Sequence, residues 1–182
     1  NHVYLEGYWQ NEKNFKNIEN IIKKEFTLKN KMGYESEKIL EKIKSFNSIS
    51  IHFRRGDYIT NKKINAYYGI CPIKYYLDAI SIIKEKIKNP YFFIFSDDIN
   101  WVKNNFKIAG QADFVSNNCI KDYEELILMS FCKNNIISNS SFSWWGAWLN
   151  KNPEKNIIAP KQWFQSTKMD TNDLIPNTWI KI

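Results

Sequence analysis

The sequence predicts an α/β domain built on a mostly parallel sheet. Three observations predict it. Short β-rich runs alternate with longer segments of helical periodicity, the pattern left by strand–helix–strand crossovers. One run, Tyr91 to Phe95, is apolar at every position, as a strand covered on both faces requires. The chain has 182 residues, 43% of them hydrophobic, enough for one domain with its own core and too few for a comfortable second.

The elements follow in order. Residues 12–28 and 36–46 read as two helices, the second capped by Ser36. Ile49-Ser50-Ile51-His52-Phe53 alternates apolar and polar, as a strand does. Pro72 suits the first turn of a helix running to about Ile87, with Tyr76, Ile80, Ile83 and Ile87 on one face. Asn89-Pro90 stops it before the Tyr91 strand. Residues 99–106 form a helix and Asp113 to Val115 a short strand. Asp122 with Glu125 makes a capping-box-like start for a helix through Phe131. Asn135 to Ser138 reads as a strand, residues 142–149 as a helix, and Asn156 to Ala159 as a fifth strand. In such sheets ligands bind beyond the carboxyl ends of the strands.

Composition narrows the function. A net charge of +7 suits an anionic partner. Many lysines, however, sit beside Glu37, Glu41 and Glu85 in helical stretches and read as solvated faces. No basic run carries a nucleic-acid reading motif, so no nucleic-acid partner is predicted. The charge permits peripheral docking on a membrane surface. No apolar run approaches the length of a membrane span. Cys71, Cys119 and Cys132 are an odd, scattered set and read as reduced thiols, which predicts a cytoplasmic setting. With two histidines and no Cys-x-x-Cys pair, no metal site is predicted. The opening Val3-Tyr4-Leu5, followed by Glu6-Gly7-Tyr8-Trp9, reads as the interior of a longer protein.

Three strand ends carry the candidate chemistry. The first leads into His52-Phe53-Arg54-Arg55-Gly56-Asp57. A guanidinium fork matches a phosphate bidentately, and adjacent arginines leaving a buried strand call for an anion. A surface Arg–Asp ion pair is the plainer alternative. The second strand ends in Ser96-Asp97-Asp98, where one carboxylate can read a base or ribose and the other cap the next helix. The third runs into Asn139-Ser140-Ser141-Phe142, hydroxyls and N–H groups at a helix start that suit an anion; a plain N-cap is the alternative. Trp144, Trp145 and Trp148 read as core. Together the three ends fit a nucleoside diphosphate. No Gly-rich dinucleotide fingerprint or Walker-type lysine loop is present.

At His52 to Tyr58, Phe95 to Asp98 and Ile137 to Leu149, and at Gly7 to Lys13, the sequence resembles the family 11 glycosyltransferases, the α-1,2-fucosyltransferases, in their bacterial branch. The resemblance covers nearly the whole chain. It implies a GT-B enzyme of two Rossmann-like domains, with GDP-fucose held mainly by the second. Residues 1–47 would be a helical lead-in from another lobe, and 48–182 the Rossmann-like GDP-fucose-binding domain. The family's Gly-Gly-Leu-Gly-Asn-Gln type motif is absent. The resemblance implies that Arg54 meets the β-phosphate with Arg55 in support, that His52 and Asp97 lie near guanine, and that Ser140, Ser141 and Phe142 form the phosphate-and-base loop. Asp57 is the candidate base. The implied reaction is metal-independent, needs no cofactor, and inverts the anomeric centre. The implied acceptor is a galactose-terminated glycan of lipopolysaccharide or capsule. Other nucleotide-sugar or linkage specificity, a GDP-binding chain without turnover, and a basic nucleic-acid-binding module stay open as alternatives.

Overall fold

The computed structural model describes residues 3–4, 6–7, 10–165 and 171–182. Tyr8 and Trp9, part of the Gly7 to Lys13 segment, lie outside them.

Six strands form one sheet: β1 (Asn47–Phe53), β2 (Pro90–Ser96), β3 (Gln111–Phe114), β4 (Asn134–Ile136), β5 (Ile157–Ala159) and β6 (Ile180–Lys181). Their order is β3-β2-β1-β4-β5-β6, and every pairing is parallel. This is the doubly wound order of a Rossmann-like sheet, whose direction of winding reverses between β1 and β4. β6 adds a sixth strand to the five the pattern predicts; two residues carry too little periodicity to be read.

The pleat of the two longest strands explains both faces. Ile49, Ile51 and Phe53 of β1 and Phe92 and Ile94 of β2 point one way. They pack on Tyr76, Ala79, Ile80 and Ile83 of α5 (Ile73–Lys86) and on Val102 of α6 (Ile99–Asn105). The alternate residues Phe93 and Phe95 point the other way, onto Ile43 of α2 (Tyr34–Ser45) and Leu128 and Met129 of α7 (Asp122–Phe131). Further along, Trp144, Ala147 and Trp148 of α8 (Ser141–Trp148) cover Ile137, Ile157 and Ala159. Both faces of β2 are thus buried, as its unbroken apolar run requires.

On the second face β1 carries Ser48, Ser50 and His52, all buried. Each finds a partner, as buried polar groups must. Ser48 Oγ accepts Lys133 N–H at 3.1 Å, Ser50 Oγ accepts from Asn135 Nδ2 at 2.7 Å, and His52 Nδ1 lies 2.9 Å from Ser138 Oγ. These contacts tie β1 to the β4 segment across the switch point.

Several local expectations are corrected. Residues 12–28 are not one helix. Two single 3-10 turns (Glu12–Asn14 and Lys16–Ile18) precede α1 (Glu19–Glu25). The break lets Phe15 turn inward onto Trp145 and Trp148, at centroid distances of 5.4 and 5.1 Å. Ser36 does not cap α2; Gly33 does, and Ser36 is buried inside the first turn. Pro72 is the N-cap of α5 rather than within its first turn. β4 begins at Asn134 and ends at Ile136, short of Ser138. Two helices, α3 (Gly56–Thr60) and α4 (Lys62–Tyr68), occupy a stretch in which no element is predicted.

The capping pair of α7 is Lys121 with Glu124, one residue ahead of Asp122 with Glu125. Glu124 accepts N–H bonds from Lys121 at 3.1 Å and from Gly33 at 2.6 Å, so it also docks α2. Burial pushes this carboxyl up, but those two N–H donors bring it below the ordinary carboxylate range. A depressed folded-state value adds stability above the unfolded pKa, lost as pH falls through the folded value. Glu124→Gln is therefore expected to lower unfolding stability by about 1–2 kcal/mol at pH 7. The gap from the parent, measured by urea denaturation, should close toward pH 3.

Candidate functional site

Because all strands run the same way, the ends of β1, β2 and β4 open on one edge of the sheet. Two adjoining cavities lie there. One, about 290 Å³, is lined by residues including His52, Arg54, Asp97, Ser116, Glu125 and Phe142. The other, about 200 Å³, is lined by residues including Gln10, Arg54, Asp57, Tyr68, Ser140, Ser141 and Phe142. Arg54 and Phe142 line both.

Arg54 is the hub. Its Nη2 donates to Asp57 Oδ1 at 2.5 Å and its Nη1 lies 3.0 Å from Asp97 Oδ2. Its guanidinium sits 5.2 Å from the Tyr58 ring centroid. Asp57 is reached because the chain turns into α3 immediately after Arg55, which brings residue 57 back beside residue 54. Asp97 also accepts Arg55 N–H at 2.8 Å. Its Oδ2 lies 2.5 Å from where a Cβ on Gly56 would stand. A Cβ there would push against the Asp97 carboxylate, which Arg54 and the Arg55 N–H hold in place, so glycine suits this position.

Arg55 turns away from the cavities. Its guanidinium carbon lies 3.2 Å from the Trp101 ring centroid and its Nε 3.3 Å from Asp98 Oδ2. Asp98 meanwhile caps α6, accepting Trp101 N–H at 3.3 Å. The arginine pair therefore divides. Arg55 clamps the backbone, and Arg54 faces the space where a ligand fits.

His52 is buried under this hub, its ring 5.5 Å from that of Phe142. Burial first, then the nearby Arg54 charge, lowers it to about 3. The imidazole is neutral at any physiological pH. Ser140 is the N-cap of α8 without using its side chain, and Ser141 and Phe142 open the helix. The first turn of α8 thus presents hydroxyls and N–H groups toward the second cavity. Asn139 is buried, its Nδ2 donating to Tyr68 O at 2.9 Å and Trp163 O at 3.1 Å. Asn139 is therefore a structural tie between the start of α8 and the chain around Tyr68 and Trp163.

The structure brings His52, Arg54, Asp57, Asp97, Ser140, Ser141 and Phe142 to this one edge, and sets Arg55 behind it. The sequence missed Glu125, which its reading assigned to a helix cap, and the flanking Ser116, Asn117 and Asn118. Among the described residues, no cluster of three His, Cys, Asp or Glu side chains is arranged to hold a metal.

The model of glycosyl transferase family 11 matches residues 1–182, the whole chain. The chain belongs to this family. It is 39% identical to an alpha-1,2-colitosyltransferase of Escherichia coli over 97% of the chain and 61% of that protein. It is 41% identical to the O-antigen biosynthesis glycosyltransferase WbnK of Escherichia coli over 75% of the chain and 45% of that protein. To a galactoside alpha-(1,2)-fucosyltransferase 2 of Sus scrofa it is 24% identical over 81% of the chain and 46% of that protein. The chain spans less than two thirds of the length of these relatives. No solved structure matches it.

The candidate site is thus built on a neutral histidine, which yields a check. In NMR spectra His52 is expected to keep a neutral imidazole from pH 8 down to about 4. An Arg54→Ala variant, lacking the nearby cation, should raise its titration point. A folded-state value below 6.5 also means that stability falls as pH drops below about 6.5.

Proposed function

We propose that this family 11 chain holds the donor of an inverting α-1,2-fucosyl transfer, from GDP-β-L-fucose to the 2-hydroxyl of a terminal galactose on a glycan acceptor. The observation that carries the proposal is Arg54, placed between two carboxylates and lining both cavities at the carboxyl edge of the sheet. Two relatives, an alpha-1,2-colitosyltransferase and a galactoside alpha-(1,2)-fucosyltransferase, support the linkage.

In this reading the diphosphate lies against Arg54 and the first turn of α8, with Ser140 and Ser141 donating to it. As the bond from the anomeric carbon to the diphosphate breaks, charge grows on the departing β-phosphate oxygens. A guanidinium already held in place stabilises that charge more than the ground state. Arginine and helix N–H groups supply this without a metal or cofactor. The acceptor hydroxyl attacks in line from the opposite face, which inverts the centre. Its proton goes to a base, for which Asp57 is the carboxylate nearest the second cavity. An oxocarbenium-like transition state leans chiefly on the leaving group, which places the main burden on Arg54.

A second reading keeps the site and linkage and replaces fucose by colitose, favoured by the 39% identity to a colitosyltransferase. Product analysis with the two GDP-sugars separates them.

Calorimetric titration of the chain with GDP, UDP and pyrophosphate tests the donor assignment. GDP is expected to bind selectively, equally well with and without magnesium. Arg54→Ala should weaken GDP by about 10- to 100-fold, the loss of one charge-assisted hydrogen-bonding group. Unchanged GDP affinity in that variant contradicts the assignment.

A further inference from the structure

Three carboxylates line the larger cavity: Asp97, Asp122 and Glu125. They are not equivalent. Asp97 is engaged on both oxygens, by Arg55 N–H and by Arg54. Asp122 is the first residue of α7 and exposed. Glu125 lies about one turn further into the helix and is half-buried, with no ion pair among the described residues. Its neighbour across the cavity is Ser116. That hydroxyl accepts Ser96 N–H at 2.9 Å and lines the same cavity as Glu125. Burial pushes Glu125 up to about 7, the Ser116 hydroxyl opposes this, and Asp122 and Asp97 add to the rise. A carboxyl desolvated this far without a cation is costly unless it serves a ligand. The same cavity has a flat apolar flank in Phe142, beside the His52 ring.

We propose that Glu125 is the residue that reads the nucleobase, its carboxylate accepting N1–H and N2–H of guanine side by side, while Asp97 serves to hold Arg54. This rests on the GDP-sugar reading above. The chemistry selects the base. A carboxylate is acceptor-only and needs two adjacent donors. Guanine offers them along its Watson–Crick edge. Adenine and cytosine offer a donor beside an acceptor, and uracil a donor between two acceptors.

The charge state sets a pH dependence. A neutral carboxyl has lost one acceptor position, so guanine affinity rises as pH climbs through about 7. The other charged or titratable groups facing Glu125 are Asp122 on its own helix, Asp97 after β2, and His52 and Arg54 at the end of β1. The diphosphate titrates too. IDP carries the same diphosphate but lacks the 2-amino group, so the GDP-to-IDP affinity ratio cancels that contribution.

The experiment is calorimetry with GDP, IDP, UDP and pyrophosphate on the chain and on Glu125→Gln between pH 6 and 8.5. The parent is expected to favour GDP over IDP by about tenfold above pH 7.5, one charge-assisted hydrogen bond, and by less at pH 6. Glu125→Gln should bind the two within about twofold at every pH while keeping its affinity for pyrophosphate, which also reports that it is folded. Glu125→Ala should give the same ratio. If either variant retains the parent's ratio and pH profile, Glu125 is not the reader and the GDP assignment stands. If the parent binds UDP as well as GDP, or neither, both readings fall.

Discussion

The close crossing of the β1 and β2 exits, where Gly56 passes beside the Asp97 carboxylate, is the constraint from which the rest of the site follows. It sets Asp97 against both Arg54 and the Arg55 backbone. It sends Arg55 outward to Trp101 and turns the chain at once into α3, which returns Asp57 to Arg54. Such half-exposed ion pairs add little stability, typically under about 1 kcal/mol. Their contribution is geometric. A long, flexible guanidinium is held at one spot before any ligand arrives, and the entropy of ordering it is spent in folding rather than in binding.

Beneath that hub the sheet carries a polar seam where hydrophobic residues would be expected. Ser48, Ser50 and His52 face the α7–α8 layer, and Asn135, Ser138, Ser143 and Asn150 answer them. A slip of one residue between β1 and β4 would leave these groups unpaired in the core, at about 1–3 kcal/mol each. The seam therefore fixes register at the switch point. His52 ends it, a neutral ring bonded to Ser138 directly below the edge where Arg54 emerges.

Much of this was legible from the sequence, for identifiable reasons. The unbroken Tyr91 to Phe95 run reads as a doubly covered strand, and the predicted strand ends at Phe53, Phe95 and Ser138 pointed to the candidate site because parallel sheets place ligands there. Helices α3 and α4 were not legible. They are five and seven residues long, and the first begins where Asp97 accepts the Arg55 N–H, a tertiary contact rather than a local propensity. The cap of α7 was misplaced by one residue because Lys121 is an unusual cap, chosen by the docking of Gly33 onto Glu124. That single-residue error assigned Glu125 to the helix cap, whereas its side chain lines the larger cavity. The break in residues 12–28 was hidden for a similar reason, since only the three-dimensional cluster around Trp145 and Trp148 shows why Phe15 must turn inward.

The distribution of charge at the edge argues for a division of labour. Asp97 and Asp57 together more than offset the Arg54 charge, so in the proposed reading an arriving diphosphate must displace one of them. The phosphate gains by adding the N–H groups of α8 and the hydroxyls of Ser140 and Ser141 to the same guanidinium, which neither aspartate can do. Asp57 is the more mobile competitor, lying on a five-residue helix with its side chain 45% exposed, against 24% for Asp97. In the proposed reading Asp57 is therefore the partner that yields when the diphosphate binds. A carboxylate released from Arg54 at that moment becomes free to accept a proton just as the diphosphate is seated. The same ion pair that holds the arginine in the empty site would then couple donor binding to the appearance of the base.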